Sequence, residues 1–226
     1  MAHWQVAHWA VAQGLQTGDS VAIFMPNRLD FVAAWLGLAK IGVTSAWINN
    51  SIKLGPLIHS VTCVASTKVL IHGQELETTV AEIRAELTAV GIKTASFGSW
   101  MPFGTGLRTA ADEDVLGRPK SPPSRSLRDG VSGTSPLCYI YTSGTTGLPK
   151  AAIVTHKRYV GAGMGAAGLV KPDDVLYGTC PATSVTSECT GSRPMHHLVV
   201  ALVTNHDPPH CGSRPACLSS ALYLEQ

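Results

Sequence analysis

Twelve consecutive positions carry the densest chemistry in the chain: Tyr139, Ile140, Tyr141, Thr142, Ser143, Gly144, Thr145, Thr146, Gly147, Leu148, Pro149 and Lys150. The approach to them, residues 137–141, is apolar and aromatic, the composition of a buried strand. The chain then turns to hydroxyls, Thr142, Ser143, Thr145 and Thr146, around Gly144 and Gly147. Glycines admit positive φ and close approach of backbone to a ligand. Successive N–H groups in such a turn converge on an anion, hydroxyls add donors, and a lysine adds a compact positive charge. A plain surface turn followed by a solvated lysine is the competing reading. The position directly after a buried strand, with Pro149-Lys150 closing the run, favours a phosphate loop.

The loop is not of the Walker A type, which needs Gly-Lys-Ser/Thr at the start of a helix. Here Gly147 is followed by Leu148, Pro149, Lys150 and Ala151, and the apolar run Ala151, Ala152, Ile153, Val154 reads as a second strand. The Gly-x-Gly-x-x-Gly dinucleotide fingerprint is absent from this loop as well. The local unit is therefore strand–loop–strand, with a helix from Thr155-His156 onward.

The run Tyr-Thr-Ser-Gly-Thr-Thr-Gly-x-Pro-Lys resembles the phosphate-binding signature of the adenylate-forming, AMP-binding superfamily. With Tyr139-Ile140-Tyr141 before it and Ala151-Ala152-Ile153-Val154-Thr155-His156 after it, the stretch is most similar to the fatty acid transport proteins, also called very long-chain acyl-CoA synthetases. The resemblance implies ATP and Mg2+ as cofactors, CoA as co-substrate and a long- or very long-chain fatty acid as acyl substrate. It implies that Thr142, Ser143, Gly144, Thr145, Thr146 and Gly147 cradle the β- and γ-phosphates while Lys150 balances their charge. It also implies membrane association, at the endoplasmic reticulum or plasma membrane, facing the cytosol.

The resemblance spans about residues 6–181. Asp174-Val175-Leu176-Tyr177 is followed by Gly178-Thr179-Cys180-Pro181, where the family continues into a Tyr-His-Ser element. The family's Tyr-Gly-x-Thr-Glu segment, its ribose-binding Asp and its C-terminal small domain have no counterpart in this sequence. The expectation is an N-terminal fragment, 1–181, followed by a divergent, disordered tail, 182–226, with incomplete catalytic machinery. The alternatives are a non-catalytic truncated or partner-binding fragment, or another acyl- or aryl-adenylating enzyme.

The elements that must position the loop alternate upstream of it. Helices are expected over 4–15, 31–41, 56–65 and 74–90, and strands over 20–25, 43–48, 68–72 and 92–97. Asn27 is placed as a helix cap. Alternating helices and strands predict an α/β fold, an open, mostly parallel sheet with helices on both faces, with ligands beyond the carboxyl ends of the strands. Residues 98–136 hold Pro102, Pro119, Pro122, Pro123 and Pro136, and read as a flexible insertion. His3, His8, His156 and Arg158 are read as structural.

Composition narrows the rest. A net charge of +2 and no basic stripe argue against nucleic acid. No signal peptide or membrane-spanning run is evident; the apolar stretch 31–43 is short and contains Lys40. Six cysteines lack Cys-x-x-Cys spacing, so a zinc site among the tail's Cys180, Cys189, His196, His197, His206, His210, Cys211 and Cys217 is disfavoured. Cys63 and Cys138 read as buried thiols in a reducing compartment.

Overall fold

The computed structural model describes residues 2–98, 109–142 and 148–167. In chain order these form α1 (Ala2–Ala12), β1 (Ser20–Phe24), α2 (Leu29–Ala39), β2 (Thr44–Trp47), α3 (Leu54–Thr62) and β3 (Thr67–Gly73). Then come α4 (Glu77–Ala81), α5 (Arg84–Ala89), β4 (Lys93–Phe97), α6 (Ala110–Leu116), β5 (Pro136–Thr142), β6 (Lys150–Thr155) and α7 (His156–Ala167). Among the described residues the strands make one six-stranded sheet, ordered β4-β3-β1-β2-β5-β6. Every pairing is parallel except that of β5 with β6.

Strand alternation explains the two-faced packing. On β1, Val21 and Ile23 join one apolar cluster with α1, α2 and α6, while Ala22 and Phe24 join a second with α3, α4 and α5. All five β1 residues are therefore buried, and residues 21–24 read as an unbroken apolar run. At the heart of the first cluster Trp47 meets Phe31 and Trp35 edge-on, with ring centroids 5.5 and 4.9 Å apart. Helices α1 and α2 cross closely at Gly37, where a Cβ would lie 2.5 Å from the His3 carbonyl oxygen.

Several local expectations shift. The predicted helix 74–90 is a 3-10 turn, Gln74–Leu76, followed by α4 and α5, with Ile83 at φ −115° and ψ 1° between the two helices. Of the apolar positions expected to face inward, Val80, Ile83 and Leu87 are fully buried, whereas Val90, just past α5, is 62% exposed; packing against the sheet outweighs an unbroken hydrogen-bond ladder. The cap of α2 is Arg28 rather than Asn27, in extended backbone and without a side-chain capping bond. Cys138 is buried, and burial pushes its thiol up to about 12, but Cys63 is exposed.

Within 98–136, the described residues are not structureless. Thr109 and Asp112 form a capping box at the start of α6. Buried Asp112 also accepts from the Gly98 N–H at 2.8 Å, and Val115 enters the core. The segment is tied to the scaffold by side chains outside it: Gln5 Nε2 donates to Leu116 O at 2.8 Å, and Thr17 Oγ1 donates to Leu127 O at 2.6 Å. A proline-rich composition marks irregular backbone, yet it does not report such long-range anchoring. No helix among the described residues is long and apolar enough to cross a membrane.

Candidate functional site

The loop is presented by a hairpin. β5 and β6 pair from Pro136↔Thr155 to Thr142↔Lys150, so the connection between the last paired residues is 143–149. Its core, Ser143, Gly144, Thr145, Thr146 and Gly147, lies outside the described residues. What is described is the frame that holds it. Thr142 is exposed, and its Oγ1 donates to the Lys150 carbonyl at 3.5 Å. Lys150 is exposed at the first position of β6, and Leu148 is 43% exposed.

β5 joins the hairpin to the sheet through β2, in register Ser45↔Cys138, Ala46↔Tyr139 and Trp47↔Ile140. Ile140 is fully buried, whereas Tyr139 is half-buried. The parallel ladder stops at Ile140. Tyr141 and Thr142 therefore extend past β2 with only β6 beside them in the ladder. Thr142, the last described residue before the loop, therefore stands at the carboxyl end of a parallel strand, the end at which open α/β sheets bind ligands.

The overhang has a second support. The Tyr141 hydroxyl donates to the Ser60 carbonyl on α3 and lies 3.9 Å from the Cys63 Sγ. Burial, with Cys63 adding, raises the Tyr141 phenol far above its ordinary value, so it stays protonated and able to donate. On the other arm, His59 Nε2 donates to the Pro149 carbonyl at 3.1 Å. A carbonyl oxygen only accepts, so the proton must sit on Nε2. These α3 residues carry no signal in the sequence, since they stand 81 and 90 positions from their partners.

Elsewhere along the carboxyl edge, Arg28 ties three strands together. Its Nη1 donates to Glu75 after β3 at 3.1 Å, its Nη2 donates to Phe97 O on β4 at 2.9 Å, and its Nε lies 3.3 Å from the buried Asp30 carboxylate. With Glu75 and Asp30 as carboxylate partners and the Phe97 carbonyl as acceptor, the Arg28 guanidinium is a structural clasp. The described residues also form a half-open pocket of about 400 Å³, lined by residues that include Trp35, Leu137, His156 and Tyr159. Leu137 and His156 belong to the far end of the hairpin, so this pocket is not the loop's site. The structure places His156, with its pKa lowered by burial, at the start of α7 and away from the loop. No group of three His, Cys, Asp or Glu side chains able to hold a metal occurs among the described residues; the tail's Cys and His residues lie outside them.

The sequence profile of AMP-binding enzymes matches residues 4–203. That match continues beyond Pro181, where the motif comparison alone placed the end of the resemblance. Long-chain fatty acid transport protein 2 of Rattus norvegicus is 39% identical over 169 residues, a span of 74% of this chain and 27% of that protein. The chain thus spans about a quarter of the length of the curated relatives it matches. ATP-bound MatB from Rhodopseudomonas palustris superimposes with a TM-score of 0.68 at 25% identity, covering 88% of this chain and 35% of MatB. The N-terminal domain of FACL13 from Mycobacterium tuberculosis, solved with an inhibitor, gives a TM-score of 0.61 at 25% identity over 78% of this chain and 40% of that domain.

Proposed function

Because this chain belongs to the AMP-binding enzyme family, we propose that its hairpin loop holds the phosphates of ATP for an acyl-CoA ligase acting on long- or very long-chain fatty acids. The observation that carries the reading is the placement of the Gly- and hydroxyl-rich loop beyond the carboxyl end of β5, in a chain 39% identical to a long-chain fatty acid transport protein. In the reaction, a fatty acid carboxylate oxygen attacks the α-phosphorus of ATP and pyrophosphate leaves. The thiol of CoA then attacks the acyl carbon, the thioester forms, and AMP leaves.

The part assigned to these residues is binding and orientation. Backbone N–H groups of 143–147 and the hydroxyls of Thr142, Ser143, Thr145 and Thr146 would receive the β- and γ-phosphate oxygens. Lys150, at the exit of the loop, would balance their charge. The described donor set brings no metal-ligating triad together. Magnesium keeps several waters and is bound largely through substrate phosphates, so it would enter on the nucleotide and offset its negative charge.

The test is equilibrium binding of Mg-ATP to the 226-residue chain. Thr145→Ala with Lys150→Ala is expected to weaken binding by roughly ten- to a hundredfold, the range for losing charge-assisted hydrogen bonds. Unchanged affinity in the double variant overturns the assignment.

A second reading draws on the surface. β6 is the edge of the described sheet, and Ile153, Val160 and Met164 on β6 and α7 are 53%, 43% and 73% exposed. An open strand edge beside apolar side chains favours association with another polypeptide. A chain that forms stable complexes but makes no acyl-CoA would support the non-catalytic, partner-binding reading.

A further inference from the structure

We infer that α3 is the positioning element of the phosphate loop, acting through His59 and the Ser60 carbonyl as a clamp on both arms of the hairpin. The inference rests on the reading of the loop as a nucleotide site, but its geometry is independent of that reading. A Gly-rich loop binds an anion well only if its N–H groups already point the right way; otherwise binding must supply the ordering. Pairing with β2 ends at Trp47↔Ile140, so the sheet cannot order the overhanging Tyr141, Thr142 and Lys150 by its parallel ladder. β6 pairs with these residues but is itself an edge strand with only Val154 buried, so it adds little support from the core.

Consecutive residues of α3 supply it instead. Ser60 receives the Tyr141 hydroxyl just before the loop, and His59 donates to the Pro149 carbonyl just after it. One rigid turn therefore fixes the separation of the loop's two ends. α3 is in turn fixed by the core, since Leu57 and Val61 are fully buried in the second apolar cluster. Both contacts end on carbonyl oxygens of the protein itself, so the role assigned to His59 and Tyr141 is positioning.

Two measurements on the full 226-residue chain test this. The first is amide hydrogen exchange across 142–150 without nucleotide, for His59→Ala, His59→Gln and Tyr141→Phe. His59→Ala and Tyr141→Phe are expected to speed exchange of the hairpin about three- to tenfold, the equivalent of one net hydrogen bond. Exchange in β1 and β3 should not change, and His59→Gln, whose amide can still donate, should restore most of the protection. The second is Mg-ATP affinity, expected to fall by a similar factor in the same two variants and to recover in His59→Gln.

Hairpin exchange that is insensitive to both variants overturns the clamp, even if the chain binds ATP. So does uniform acceleration across β1, β3 and the hairpin, which marks general destabilisation. Exchange that responds in the hairpin alone, in a chain that does not bind ATP, upholds the clamp and rejects the nucleotide reading.

Discussion

The two halves of the sheet are built on different terms. In β1 and β2 every residue is buried, and β3 exposes only Lys68; these strands have neighbours on both edges and helices on both faces. In β5 and β6 the pairing is antiparallel, burial is partial, and β6 keeps only Val154 buried. The interior parallel strands β1 to β3 hold their shape by apolar burial and tolerate little change, whereas edge strand β4 buries only Phe97. The hairpin half joins the core through Leu137, Cys138, Ile140 and Val154, adds specific polar ties from α3, and carries the loop proposed to hold phosphates. The contrast teaches that the residues presenting the loop are fixed by a few contacts from α3, whereas the residues behind it are fixed by the whole core.

The strongest way to sharpen that contrast is Trp47→Ala. It removes an indole that is 2% exposed and in edge-on contact with two aromatic rings. A loss of about 3–5 kcal/mol is expected in urea unfolding. If Trp47→Ala left the midpoint where it was, the parallel half would not be the stabilising half.

Acid provides the next test. Burial, with the Lys40 charge adding, lowers the pKa of His3 from 6.5 to about 4. Between those values the unfolded chain takes up the proton and the folded chain does not, so stability rises with pH across this window. The contribution is fully present above about pH 6.5 and is lost as pH falls towards 4, by something of the order of 3 kcal/mol. His3→Gln should flatten the slope of stability against pH without removing it, because buried His72 is shifted in the same direction. A slope that is unchanged in His3→Gln would place the acid sensitivity elsewhere.

A smaller effect comes from Asp112→Ala. It removes the capping box of α6 and leaves the Gly98 and Thr109 N–H groups without their acceptor. The expected cost is about 1–2 kcal/mol by thermal or urea unfolding. An effect near zero would mean that 109–116 contributes no more to stability than an exposed loop.

The smallest effect belongs to the hairpin half. Ile153→Thr changes a residue that is 53% exposed on an edge strand, and stability should stay within about 0.5 kcal/mol. Light scattering should show less self-association than in the parent chain, because an apolar group leaves the open edge. A loss comparable to that of Trp47→Ala would erase the distinction between the two halves.

Much of this architecture was legible in the residues. Strands β1 and β3 announce themselves by apolar runs between helical patterns, because a strand buried on both faces has little polar side to interrupt it; edge strand β4, with only Phe97 buried, was legible from its place in the alternation. The approach to the loop was legible for the same reason, as was the strand after Lys150. Other features were not. Thr109 and Asp112 spell a capping signal, but proline-rich surroundings masked it. The breaks within 74–90 are invisible to periodicity, since Val80, Ile83 and Leu87 keep a single stripe whether or not the helix is continuous. Cys63 sits in an apolar run yet is exposed, because its neighbours and not its own run determine its burial.

The sequence by itself determined the alternating α/β pattern, the Gly- and hydroxyl-rich make-up of the loop, and the family. All three rest on residue type and short spacing, which the chain carries locally. Tertiary structure alone decided that β5 lies beside β2 and not beside its sequence neighbour β4. It also decided that the hairpin overhangs that junction, and that His59 and Ser60 meet its two arms. The physical reason is that these contacts join groups 81 to 90 residues apart, so they exist only once two apolar faces have packed and fixed the distance between them.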